Sequence, residues 1–178
     1  MTLVFDTSVL SCFARAERLH LLDRLTNGRG RRVATRAVID EIGNGIPLHP
    51  NLAEVARTSW LEQVSADGLD ELKYFAKFSR RLVDQKNQNV GEASALAWTK
   101  VHMGVFLSDD QTAIDLAKEE RIKCERTLRL IVNGVQQGRL YKNEVATLVD
   151  ELISGGARFP CKGGSEFLSW ANLQGFFD

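Results

Sequence analysis

The sequence predicts an α/β protein in which a parallel sheet carries helices on both faces. Two observations point there. Short apolar runs, Leu3–Phe5 and Val105–Leu107 foremost, are too brief for helices and alternate with stretches whose apolar residues recur at helical spacing. Both runs end on acid, Asp6 in one case and Asp109 with Asp110 in the other, so each reads as a buried strand that delivers a carboxylate to its C-terminal tip. In a parallel sheet those tips share one edge, where ligands of open α/β sheets bind.

The elements follow in order. Thr7 or Ser8 can cap a helix containing Val9, Leu10, Phe13 and Ala14, and Leu19, Leu22 and Leu25 repeat the spacing in a second one. Asn27, Gly28 and Gly30 end it beside a basic cluster of Arg29, Arg31 and Arg32. A strand around Val33 and Ala34 leads to Thr35, a cap for a helix carrying Val38, Ile39 and Ile42, with Glu41 about 60° from Val38 at the border of the apolar stripe. Gly43 to Pro50 reads as loop, Leu52, Val55 and Ala56 as a helix, and Trp60 to Val64 as a short strand or extended connection. Leu69, Leu72, Phe75, Ala76, Leu82 and Val83 mark a longer helix ending near Gln85, its outer face carrying Lys73, Lys77, Arg80 and Arg81; Asp84 to Asn89 reads as loop. Gly91 and Glu92 open a helix with Ala93, Leu96, Ala97 and Val101, which puts Glu92 in a first turn, where the helix dipole favours negative charge. Ala113, Ile114 and Ala117 give the next helix, Ile122–Cys124 a last strand, and Leu130, Ile131 and Val135 a helix capped by Thr127 and ended by Gly138. Val145, Leu148, Val149, Leu152 and Ile153 form the cleanest amphipathic pattern, closed by Gly155 and Gly156. The aromatic tail, with Phe167, Trp170, Phe176 and Phe177, is expected to pack on the domain or on a second subunit.

With 178 residues, 44% hydrophobic and 26% charged, the chain can bury one core and is too apolar for disorder. Its 23 basic and 23 acidic residues exclude a uniformly basic nucleic-acid coat, so any such contact must come from local patches. Cys12, Cys124 and Cys161 are scattered without a CxxC pair, which suggests reduced thiols in a cytosol. His20, His49 and His102 are isolated, so no zinc motif forms. No apolar run approaches the roughly 20 residues that cross a bilayer, and Asp6 interrupts the N-terminal run, so neither a membrane span nor a signal peptide is expected.

Four acids can converge: Asp6 and Asp110 from strand tips, Glu41 and Glu92 from helix edges. Two like charges about 4 Å apart repel by about 4 kcal/mol at an effective dielectric near 20, so such a cluster demands protons or a cation. With oxygen ligands only, the expected cation is hard: Mg²⁺, with Mn²⁺ as a substitute. Such an ion lowers the pKa of a bound water and neutralises charge at phosphorus, and hydrolysis of a nucleic-acid backbone is the reaction the set suits best.

The motifs FDTSVL, VIDEI, NVGEASALA, VFLSDDQTAIDLA and GRLYKNEVATLVDELISGGARF, in this order over most of residues 2 to 160, resemble the PIN-domain family. The resemblance is to VapC-type toxin ribonucleases and to a subfamily with a longer C-terminal helical extension. It implies a three-layer α/β/α fold with a parallel sheet of four or five strands, a nuclease domain over 1–140 and a helical extension over 141–178 packed on it. Carried over by position, it makes Asp6, Glu41, Glu92 and Asp110 the catalytic acids, with Asp109 as a substitute or assistant for Asp110 in holding metal, and Ser8 and Ser108 orienting the carboxylates. It further implies a Mg²⁺-dependent or Mn²⁺-dependent endoribonuclease, a cognate antitoxin as partner, a homodimer, and a cytoplasmic setting. Arg126 stands where many relatives have glycine and Arg129 where a small residue is frequent, which adds charge beside the strand-edge cleft for RNA or an inhibitor segment. Arg29, Arg31, Arg32, Lys73, Arg80 and Arg81 are further candidate phosphate contacts, with a solvated face as the alternative.

Two other strand-then-Asp chemistries fit less well. A haloacid-dehalogenase phosphatase needs a second Asp two residues after the first, and Ser8 occupies that place. A receiver domain needs an early acidic pair and a late lysine, neither of which is evident. The remaining rival is a PIN module that binds RNA or protein without cutting.

Overall fold

The computed structural model describes residues 1–83 and 89–177. Among them the chain forms strands β1 (Thr2–Phe5), β2 (Arg31–Thr35), β3 (Glu62–Val64), β4 (Val105–Leu107) and β5 (Lys123–Glu125) in one sheet of order β3-β2-β1-β4-β5, every neighbouring pair parallel. Helices α1 (Thr7–Arg15), α2 (Leu19–Thr26), α3 (Arg36–Gly45), α4 (Leu69–Leu82), α5 (Val90–His102), α6 (Gln111–Glu119), α7 (Thr127–Gln136), α8 (Val145–Ser154) and α9 (Gly164–Leu173) flank the sheet in the expected three-layer α/β/α arrangement.

The middle of the sheet is the most apolar part of the sequence. Leu3, Val4 and Phe5 of β1 are fully buried, and Phe106 of β4 is as well. Strands covered on both faces need such continuous apolar runs. From β1 the chain lays strands outward to one side through β2 and β3, then returns to add β4 and β5 on the other. The reversal falls between β1 and β4, and the crevice at the C-terminal ends of those two strands is where such sheets hold ligands. Helix α5 runs beneath, and its residues from Gly91 to Thr99 are all buried. A helix enclosed on every side forces its one acid, Glu92, out of water.

Several expectations shift in detail. The helix expected around Leu52 is a 3-10 segment, Pro50–Arg57, and α3 continues into the expected loop as far as Gly45. Helix α4 stops at Leu82, and of the expected loop from Asp84 to Asn89 all but Asn89 lies outside the described residues. Its buried seam is Phe78 and Leu82, whereas Leu69 and Leu72 are 87% and 48% exposed. At 100° per residue Leu69 and Leu72 lie about 180° and 120° around the helix from Phe78, so they cannot share its seam.

The C-terminal helices close on the same core, with α8 against α1 and α9 against α8. Arg18 clamps Glu151 of α8 through two donors. Where α9 begins, Gly164 approaches Ala146 so closely that a Cβ would stand 1.8 Å from its carbonyl oxygen, and its N–H donates to Asp150 Oδ1 at 2.7 Å. No described helix is long and apolar enough to cross a membrane.

Candidate functional site

The site is assembled at the β1–β4 crevice. Asp6 follows β1 in extended backbone and is itself the cap of α1, its Oδ1 accepting from Thr7 N–H at 2.6 Å. The expected cap, Thr7, is thereby free to turn elsewhere, and its Oγ1 donates to Glu41 Oε2 at 2.7 Å. Asp6 Oδ2 accepts from Ser8 Oγ at 2.8 Å and from Ser108 Oγ at 2.6 Å. These hydroxyls come from α1 and from the turn after β4, so the carboxylate is oriented from both strands of the crevice.

Glu41 reaches in from the second turn of α3. Its Oε1 accepts from Gly91 N–H at 2.9 Å, tying α3 to the start of α5. A Cβ on Gly91 would stand 2.5 Å from Glu41 Oε2 and 2.8 Å from Thr7 Oγ1, so this contact requires glycine. One position later is Glu92, buried like Asp6. Its Oε2 is buried with no hydrogen-bond partner among the described residues.

After β4 the two adjacent acids separate. Asp109 commits one oxygen to Thr127 N–H at 3.0 Å and the other to Thr127 Oγ1 at 2.6 Å, holding the start of α7. Asp110 caps α6 through Oδ1, which accepts from Ala113 N–H at 2.7 Å, and is otherwise exposed. Thr127, expected as a cap, is thus the residue being capped.

Electrostatics mark the same place. Burial pushes Asp6 up to about 6, against the pull of the Ser108, Ser8 and Thr7 hydrogen bonds, with the Glu41 charge adding to the rise. Glu92 is pushed up to about 8, first by burial and then by the charges of Asp6, Glu41 and Asp110. The charges of Asp6, Glu41 and Asp110 therefore converge on Glu92, and that of Glu41 also reaches Asp6. Among the described residues, no group of three or more His, Cys, Asp or Glu side chains is placed so that it could hold a metal ion. Mg²⁺ does not require such a cage, since it is commonly held by one or two carboxylates with waters and phosphate oxygens filling the rest of its shell. The donor chemistry and the orphaned Glu92 oxygen fit a hard divalent cation on those terms.

Glu92, Asp109 and Asp110 open on a cleft of about 560 Å³ also lined by Ser8, Arg15, Arg126 and Arg158, whereas Asp6 is fully buried and neither it nor Glu41 is among the lining residues. Arg15 and Arg158 were not expected from the sequence. The signal for Arg15 is its spacing: Ser8, Ser11, Cys12 and Arg15 form an i, i+3, i+4, i+7 stripe along α1, and all four line the cleft. Burial pushes the Cys12 thiol up to about 12, so it offers no thiolate there.

Of the four expected RNA-contacting arginines, the structure brings Arg126 to the cleft and Arg129 to the chamber beside it. Arg31 and Arg32 do not come near. They begin β2, paired with Thr2 and Leu3, and so lie at the sheet edge opposite to Asp6. Arg31 forks onto Glu62, and Arg32 pairs with Asp23 and lies over Trp60. Arg29 is committed to Glu125, and Arg81 to Glu119.

A three-layer α/β/α sheet with carboxylates at its switch-point crevice defines the class: an acid-edged parallel α/β protein. A family model described as PIN domain matches residues 2–172, and the chain belongs to the PIN-domain family. Its fold is therefore of the nuclease type, and the family in general uses divalent metals and binds RNA. No curated protein and no solved structure matches the chain.

Proposed function

We propose that the protein is a divalent-metal-dependent endoribonuclease that hydrolyses RNA phosphodiester bonds and serves as the toxin of a type II toxin–antitoxin pair. The observation that carries the hydrolytic reading is the buried carboxylate oxygen of Glu92, without a hydrogen-bond partner among the described residues, under the charges of Asp6, Glu41 and Asp110. Carboxylates kept this dry settle by taking a proton or a cation.

Asp6, Glu92 and Asp110 are the residues that would hold Mg²⁺ or Mn²⁺. The ion, when bound, acidifies a water and offsets charge gathering on phosphorus. Ser8 and Ser108 fix the Asp6 carboxylate, and Glu41 positions Glu92 by gripping the N–H of Gly91. Asp109 gives both oxygens to Thr127, whereas Asp110 gives only Oδ1 to its cap and is exposed, which supports Asp110 as the fourth acid with Asp109 as its assistant. Arg15, Arg126 and Arg158 supply positive charge for phosphates on the walls of the cleft. An antitoxin partner accords with the family's habits, a homodimer is proposed with it, and the free cysteines favour the cytoplasm.

A binding module that does not cut is the second reading, favoured by the absence, among the described residues, of three acids arranged to hold an ion unaided. Labelled single-stranded and hairpin RNA separates the two. Wild type should cut with Mg²⁺ or Mn²⁺ and stop on chelation, and Asp6→Asn should lose at least about a hundredfold in rate, on the scale of losing an essential charge-stabilising group. Equal cutting by wild type and Asp6→Asn removes the hydrolytic reading.

A further inference from the structure

The C-terminal segment builds a second chamber, of about 510 Å³, directly against the acid cleft, and Arg126, Arg158 and Phe159 are among the residues that line both. Its other walls combine Phe167, Trp170 and Phe176 with the aliphatic Leu128 and Val132. Phe167 stacks on Trp170 with centroids 5.9 Å apart, Trp170 meets Phe176 edge-on at 5.5 Å, and the Arg129 guanidinium lies over Phe176 at 5.5 Å. Trp170 remains 49% exposed although its neighbour Phe167 is buried. The rings are held in place, because Gln136 donates to the Phe176 carbonyl at 3.1 Å, Lys142 donates to the Phe177 carbonyl at 3.1 Å, and Asp150 anchors the start of α9. The acids in the wall are already engaged, Asp109 by Thr127 and Glu166 by Lys162 N–H. Three arginines, Arg126, Arg129 and Arg158, stand in the lining against these two acids, so the formal charge of the wall is positive.

Rings alone would suit an apolar peptide, and guanidinium groups alone an acidic one. Flat rings walled by arginine and continuous with a phosphate-seeking cleft suit a nucleotide, which joins a π-face to a negative charge. The volume lies within the roughly 300–1,000 Å³ of small-ligand sites. We propose that this chamber receives one unstacked nucleobase of single-stranded RNA, the neighbour of the phosphate in the acid cleft, with Trp170 as its stacking surface. The register rests on the nuclease reading, whereas the chamber's chemistry does not.

The test compares two 5′-labelled strands of equal length and charge, a short oligouridylate and a ribose-phosphate strand without bases, by fluorescence anisotropy in chelator. Wild type should bind the oligouridylate about tenfold tighter than the baseless strand, in the range of one aromatic stacking contact. Trp170→Ala should erase that ratio and leave affinity for the baseless strand unchanged, and Trp170→Phe should retain most of it. Trp170 is half exposed, so the substitutions leave the core intact. Equal affinity of wild type for both strands, or a ratio that survives Trp170→Ala, overturns the proposal and leaves the chamber to a protein segment. RNA cutting on addition of Mn²⁺ is scored separately: base-dependent binding without cutting upholds the chamber and removes the nuclease reading, and cutting without base-dependent binding does the reverse.

Discussion

Glu92 is held where a charge is costly. Its carboxylate is buried in the first turn of α5, one oxygen has no partner among the described residues, and three other acids act on it. The sign of the resulting pH dependence follows directly. Below the ordinary value of 4.5 both folded and unfolded chains hold the proton; between there and about 8 the unfolded chain ionises first, so stability falls as pH rises through that window and levels off above it. Asp6, raised to about 6, adds the same trend over a lower range. Glu92→Gln removes the larger contribution. Without metal it should melt higher than wild type at pH 8, by on the order of 1–3 kcal/mol or about 2–4 °C per kcal/mol, and alike at pH 4, measured by thermal denaturation in chelator. A Glu92→Gln variant no more stable than wild type at pH 8 would mean that the burial of this acid has no energetic weight.

At the scale of elements, the acids sit on helix N-termini. Asp6 caps α1, Asp110 caps α6, Asp109 holds the start of α7, and Glu41 accepts from the first turn of α5. Every one of these helices follows or abuts a strand tip of the parallel sheet, so its positive end faces the crevice. Each such dipole offsets about 0.3–1 kcal/mol of the repulsion among the carboxylates. The adjacent acids can be told apart on this basis. Asp109→Ala should lower stability by about 1 kcal/mol through the lost cap while keeping the rise in melting temperature that Mn²⁺ gives wild type. Asp110→Asn keeps its cap and should lose that rise. The reverse pattern in a melting series with and without Mn²⁺ would make Asp109 the ligand. These roles were only half legible in the sequence. The strand tips were, because Leu3–Phe5 and Val105–Leu107 are wholly buried runs. The caps were not, because Asp6, Thr7 and Ser8 can each cap a helix, and extended backbone at Asp6 decides among them. Arg31 and Arg32 were readable and misplaced: residues that open a parallel strand end on the edge opposite to residues that close one.

For the whole molecule, distant segments are fastened by charge across the core. Arg29, in the turn before β2, donates to Glu125 at the end of β5 with side-chain exposures of 14% and 8%, and Asn133 of α7 donates to the same carboxylate at 2.8 Å. Removing one partner of a buried pair leaves the other charge without compensation. Arg29→Ala should therefore cost about 3–5 kcal/mol, read by denaturant unfolding, far more than the loss of the exposed Arg31–Glu62 pair, worth about 0–1 kcal/mol. Such long-range pairings lay beyond the sequence, where Arg29, Arg31 and Arg32 form one undivided basic cluster. The aromatic tail was legible as a packing segment, but its position beside the acids depends on α8 folding back over α1. This framework brings the charges of Asp6, Glu41 and Asp110 to bear on Glu92, and the central claim is that this site answers to a divalent ion. Titration calorimetry of Mn²⁺ into the metal-free protein at pH 7, in buffers of different ionisation enthalpy, tests it most directly. Binding should release roughly one proton per ion, because Glu92 is raised to about 8 and must give up its proton to bind, and the release should vanish in Glu92→Gln. Absence of binding, or proton release unchanged in that variant, would contradict the account.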